Sequence, residues 1–196
     1  FGALISPTDP IAVIGILSKY QIPKKLKTEI IGESLFNDGV GVVVFAVIFS
    51  IITGGEDAFT FGNVIKIFSV EVFGGLAIGF TIGYLGYLMM KSIDHYQTEI
   101  LITLAVVTGG YSIAAQFHAS GPLAMVVAGL LIGNKGKEHA MSDITAEYVD
   151  KFWELIDEIC NTILFVLMGL EIFLVPFDTS YLIIGSILII VSLISR

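Results

Sequence analysis

The sequence predicts an all-α fold, a polytopic bundle of transmembrane helices. Three observations carry that reading. Hydrophobic residues make up 55% of the 196 and charged residues only 14%, with a mean hydropathy of +0.90. A soluble domain carries about a quarter charged residues, so charge here is too scarce to cover a water-facing surface. Residues 39–55, 72–90, 100–134 and 179–195 contain no Asp, Glu, Lys or Arg. A membrane helix needs roughly 20 mostly apolar residues, and 100–134 is long enough for two. Glycine is also abundant, at 21, and small residues let membrane helices approach closely.

About seven spans follow in order. The first runs from about Gly2 to Ser18 and is interrupted by Ser6-Pro7-Thr8-Asp9-Pro10. The second runs from about Thr28 to Thr53, the third from Val64 to Met90 and the fourth from Thr98 to Phe117. The fifth, about Gly121 to Gly133, is short. The sixth covers about Phe152 to Val175 and the seventh Ser180 to Arg196. The chain begins and ends inside apolar runs, so it reads as one partial transmembrane domain, 1–196, of a longer protein.

Loop charge orients the bundle. Alternating spans place Lys19, Lys24, Lys25, Lys27, Lys91, Lys135, Lys137 and Lys151 on one side and only Lys66 on the other. By the positive-inside rule, the Lys-rich loops 19–27, 91–98 and 135–151 are cytoplasmic. The polar stretch Lys135 to Lys151 lies on the membrane surface or forms a plain connecting loop. A net charge of −8 with no basic patch argues against nucleic acid. The single cysteine, Cys160, excludes an intrachain disulfide.

Ionisable groups inside a span cost roughly 2.5–3.5 kcal/mol each on insertion scales, and those that persist face a protein interior or a water-filled cavity. Asp9, Glu33, Asp38 and Arg196 are the candidates. Asp38 lies ten residues beyond Thr28, about 15 Å deep at roughly 1.5 Å per residue, near the bilayer midplane. Residues four apart are neighbours on a helix. Ser34 and Asp38 therefore share one face, and Glu33 and Asn37 share the adjacent one. The first pair offers a hydroxyl and a carboxylate to an ion, the second a carboxylate and an amide to another helix. Oxygen ligands suit hard cations.

The first span cannot be an ordinary helix. Pro7 and Pro10 remove backbone donors and clash with preceding carbonyls. Broken backbone at membrane depth is tolerated only inside protein or beside a cavity, and transporters build ion sites from such breaks. Thr8 can supply a carbonyl or hydroxyl there, and Asp9 can neutralise a facing positive helix end. Arg196, if intramembrane, calls for a carboxylate partner, and Glu33 is available.

Other polar residues carry less. Glu154, Asp157 and Glu158 suit the positive end of the sixth span, and Asn161 is placed to bond across helices. Glu171 is either an ion funnel or solvated. His95 and His118 fall near span ends, where an imidazole can sense pH or simply be solvated. Phe61, Phe68, Phe73, Tyr84 and Tyr87 read as packing and interface aromatics.

Ser6-Pro7-Thr8-Asp9-Pro10 followed by Gly32-Glu33-Ser34-Leu35-Phe36-Asn37-Asp38-Gly39 resembles the sodium/proton exchangers of the monovalent cation:proton antiporter-1 family. His118-Ala119-Ser120-Gly121-Pro122-Leu123-Ala124 and Phe152-Trp153-Glu154, with Asn161 and Leu164-Phe165, fit as well and in order. The resemblance implies a larger inverted-repeat fold with crossed broken helices, a homodimer in the cell membrane and a role in pH homeostasis. It implies that Asp38 binds the cation or the proton, and that Ser34 and the Thr8 backbone help ligate a transported Na⁺. It further implies that Asn37 stabilises the site and that Glu33 pairs with an arginine, for which Arg196 is plausibly placed. The Asn-Asp pair implies electroneutral exchange. Beyond the transported ion no cofactor is expected, nor any enzymatic activity, and the other partners are membrane lipids. Two further readings stay open: a cation channel, and an intramembrane aspartyl protease using Asp9 and Asp38, although Phe36-Asn37 is the wrong setting for its second aspartate.

Overall fold

A computed structural model describes residues 2–5, 23–53, 61–174 and 179–195. All regular structure among them is helical. A one-turn α1 (Gly2–Ile5) is followed by α2 (Lys24–Thr53), α3 (Phe61–Lys91), α4 (Tyr96–Gln116) and α5 (Gly121–Leu131). The chain then passes through one π turn (Ile132–Gly136), a single turn α6 (Lys137–His139), α7 (Asp143–Leu174) and α8 (Thr179–Ser195). The proline-broken segment, with Thr8 and Asp9, lies outside the described residues, as does Arg196.

Among the described residues, three helices are long and apolar enough to cross a membrane: Lys25–Ile52, Gly62–Lys91 and Tyr96–Gln116. Two shorter apolar helices, Gly121–Gly136 and Ile183–Ile194, accompany them. The predicted sixth span corresponds to α7, which has the length but not the composition. Its last 18 residues, 157–174, still hold Asp157, Glu158 and Glu171. Many large apolar side chains are also exposed and a few polar ones buried. Phe49, Ile52, Phe73, Phe80 and Leu101 are exposed, while Glu99, Thr103 and Ser120 are buried. An apolar surface of this extent calls for lipid or protein against it.

Contacts divide the chain into units 1–146 and 147–196. In the first, α3, α4 and α5 form the core, and α3 packs most extensively on α5. Sequence explains the closeness. Gly75, Gly79 and Gly83 recur every fourth residue on one face of α3, opposite Ser120, Ala124 and Ala128 of α5. A methyl group on Gly83 would come within 2.7 Å of the Ala128 Cα, and one on Gly79 would run into the Ala124 backbone. The helices therefore meet backbone to backbone, as small-residue membrane interfaces do. Met90, Ile102, Val106, Ala128 and Ile132 close one end of this core, with Ile93, Ala140 and Met141 packed against them. The α3–α4 turn and the exit of α5 thus share an end, and with them Lys91, Lys135 and Lys137.

The turn between α4 and α5 closes the opposite end. His118 N–H bonds to the Ala115 carbonyl and Ala119 N–H to the Ala114 carbonyl, at 3.1 and 2.9 Å. This is the Schellman pattern, with His118 in the left-handed position (φ 54°) that glycine usually fills. Histidine tolerates that region better than most residues. Two residues on, Ser120 caps α5: its hydroxyl accepts the Leu123 N–H at 3.3 Å, and Pro122 sits in the first turn. Ser120→Ala is expected to cost about 1 kcal/mol of stability, measured by thermal unfolding of the full-length protein, whereas Ser120→Asp should keep most of it.

In the stretch Lys135 to Lys151, helix begins earlier than the sequence reading placed it. The Ser142 hydroxyl accepts the Thr145 N–H at 3.3 Å, and Asp143 follows in the first turn, so α7 starts nine residues before Phe152. The second unit, taken by itself, contains most of α7 and all of α8. Within it, Lys151 bonds Glu147 at 2.6 Å, one turn back on the same helix. The Asn161 amide donates to Asp157 one turn back at 3.3 Å, rather than to another helix.

Candidate functional site

The site residues that are described all lie on α2. That helix is unbroken from Lys24 to Thr53, so the spacings read from sequence hold. Asp38 falls thirteen residues after Lys25 and fourteen before Ile52, the limits of the span. It is at the middle of the membrane crossing by count. Ser34, one turn earlier, is 2% exposed, Asn37 is partly buried, and Glu33 and Asp38 are exposed.

The direction in which these residues face follows from helix geometry. Val43 and Val47 are buried, and Gly39 on the same side lies 3.4 Å from Leu123 of α5 when a Cβ is placed on it. That side is the seam on which α2 packs against α3 and α5. Ser34 is nine residues from Val43, two and a half turns at about 3.6 residues per turn, so it lies on the opposite face. Glu33, Asn37 and Asp38 flank it. The polar face of α2 is therefore turned away from the α3–α5 body. The one-turn α1, which leads into the segment holding Thr8 and Asp9, also packs on α2.

No cluster of three or more His, Cys, Asp or Glu side chains able to hold a metal occurs among the described residues. The donor set on α2 is of another kind: one carboxylate and one hydroxyl on a shared face, with an amide and a second carboxylate beside them. Such a set suits a cation that must leave again better than a permanently held one.

Two polar groups carried no weight in the sequence reading. Glu99, in the first turn of α4, is 0% exposed. Neither of its carboxylate oxygens has a hydrogen-bond partner among the described residues. It lies at the positive end of its helix, where backbone N–H groups offset a carboxylate. Glu71 of α3 lines a cavity of about 420 Å³ with Ser50, Asn63, Lys66, Ile67, Val70 and His118. His118 was singled out from sequence. Glu71 was not, because only the fold brings the two together.

A helical bundle with apolar outer faces, and with carboxylates, an amide and a hydroxyl at mid-span, is the build of a membrane transport domain. A family model described as "Sodium/hydrogen exchanger, transmembrane" matches residues 1–196. The chain is 58% identical over 178 residues to the Na(+)/H(+) antiporter NhaP of Pseudomonas aeruginosa, covering 91% of this chain and 42% of that protein. It is 35% identical over 193 residues to the Na(+)/H(+) antiporter NhaH of Halobacillus dabanensis, covering 97% and 48%. It is also 35% identical over 173 residues to the low-affinity Na(+)/H(+) antiporter NhaS1 of Synechocystis, covering 87% and 32%. The chain belongs to the sodium/hydrogen exchanger family and spans less than half the length of these relatives.

Proposed function

We propose that the protein containing this chain is a secondary antiporter of the cell membrane that exchanges a monovalent cation, Na⁺ foremost, for H⁺ in electroneutral fashion. The observation that carries the reading is the place of Asp38, a carboxylate at the midpoint of an unbroken apolar span with Ser34 one turn away on its face. The names of the relatives support it and lend nothing to the channel or protease readings.

In this reading Asp38 holds either the cation or a proton, never both. Each loaded state crosses with the carboxylate neutralised, and competition couples the two fluxes. Ser34 and Thr8 complete the cation's oxygen shell, Asn37 steadies the site, Asp9 offsets a facing helix end, and Glu33 pairs with Arg196. The polar face of α2 also meets helices from the rest of the protein, within a larger inverted-repeat fold of which this chain contributes about seven spans. The site faces the two sides in turn as one group of helices moves against another. The Lys-rich ends are cytoplasmic, lipids surround the apolar faces, and the whole protein is a homodimer. The test is the full-length protein in liposomes under a pH gradient, with an internal pH dye. Added Na⁺ should move protons and leave membrane potential unchanged. Conduction without proton movement would refute the reading.

A further inference from the structure

The cavity between α2, α3 and the α4–α5 turn carries three charge-bearing side chains: Lys66, Glu71 and His118. Lys66 and Glu71 form no ion pair among the described residues. Glu71 and the His118 ring line the same cavity. The cavity is well fixed at this point. The Ser120 N–H donates to the Glu71 backbone carbonyl at 3.1 Å, tying the turn to α3, and the Schellman bonds hold the His118 backbone. Ser50 and Asn63 add polar atoms to the lining, and Ile67 and Val70 give it an apolar wall.

Depth decides what can reach it. α3 has 31 residues, about 46 Å at roughly 1.5 Å per residue, against a hydrocarbon core about 30 Å thick. The first turns of α3 therefore stand at headgroup level. Lys66 lies five residues nearer the helix end than Glu71, about 7.5 Å by the same rise. A cation near the rim, a carboxylate further in and an apolar wall beside both form a template for one kind of molecule. It carries an ammonium at its free end, a phosphate behind it and hydrocarbon beyond.

We propose that this cavity binds the headgroup of a phosphatidylethanolamine molecule. The amine leads inward to the Glu71 carboxylate, with Ser50 and Asn63 beside it. The phosphate stays at the rim with Lys66, where the glycerol turns back so that the acyl chains lie along the apolar face of α3. Charge-assisted hydrogen bonds from a primary ammonium to a carboxylate are the strong ones. A choline headgroup cannot make them, having no N–H. A glycerol headgroup brings no ammonium to Glu71 and sets its own phosphate near a carboxylate. The order of preference is therefore ethanolamine over choline and over glycerol. This inference rests on the membrane reading of the chain, not on antiport.

The test uses the full-length protein, purified and delipidated. The shift of its thermal unfolding midpoint is followed as chain-matched phosphatidylethanolamine, phosphatidylcholine or phosphatidylglycerol is added, because a ligand that binds only the folded state raises the midpoint. Phosphatidylethanolamine should give the largest shift. Glu71→Gln should remove its advantage over phosphatidylcholine. Lys66→Met, at an exposed position, should reduce the shift from both phosphatides and serves if Glu71→Gln does not fold. Equal shifts from all three lipids in the wild type would overturn the proposal. So would an ethanolamine preference that survives in Glu71→Gln, or a phosphatidylethanolamine shift that Lys66→Met leaves undiminished.

Discussion

Asp38→Asn in the full-length protein is expected to abolish cation-driven proton movement, down to the level of empty liposomes. The substitution keeps size and shape and removes the one group on that face able to hold either a proton or a cation. The helix should not suffer, because Asp38 sits in the middle of a 30-residue helix and away from the Val43–Val47 seam that holds α2 to its neighbours. Purified Asp38→Asn should elute and unfold as the wild type does while failing to exchange. Ser34→Ala should leave exchange intact and raise the cation concentration needed for half-maximal rate, since it removes a ligand but not the titrating group. Normal coupled exchange by Asp38→Asn would remove the carboxylate from the mechanism.

The second large effect belongs to packing. Gly79→Ala adds one methyl where the Ala124 backbone already stands. Backbone cannot swing aside as a side chain can, so α3 and α5 must part. Overpacking costs about 1–3 kcal/mol, and this site should lie at the upper end. Gly109→Ala on α4 is the control. A Cβ there meets nothing within 4 Å, and alanine is favoured over glycine in a helix interior by about 1 kcal/mol. The expected result is opposite signs for the same chemical change, read as unfolding midpoints of the two variants. Equal effects would mean that the α3–α5 contact is looser than described.

Much of this was legible in the sequence for a simple reason. Spacing on a continuous helix is local arithmetic, so Ser34 and Asp38 sharing a face needed only the assumption of helix, and α2 meets it. The charge-free runs located α3 and α4 to within a few residues of their ends. What escaped was set by packing or by a cap. The early start of α7 follows from Ser142, whose hydroxyl takes the Thr145 N–H, a signal present in the sequence but outweighed by the many polar residues around it. Asn161 turned to Asp157 on its own helix, a choice that span depth does not indicate. Glu99 sits at a helix start, where a carboxylate is unremarkable. Only the fold shows that both its oxygens are shut in. Glu71 acquires its meaning only from Ser50 and His118, which come from two other parts of the chain.

The central claim is that one carboxylate binds cation and proton in competition. Calorimetric titration of the full-length protein with Na⁺, repeated in buffers of different ionisation enthalpy, counts the protons released per cation bound. At a pH where the site is largely protonated the account predicts release approaching one proton per Na⁺, falling as pH rises, and no Na⁺-linked release from Asp38→Asn. Na⁺ binding that releases no proton at any pH, or release that survives in Asp38→Asn, would contradict it.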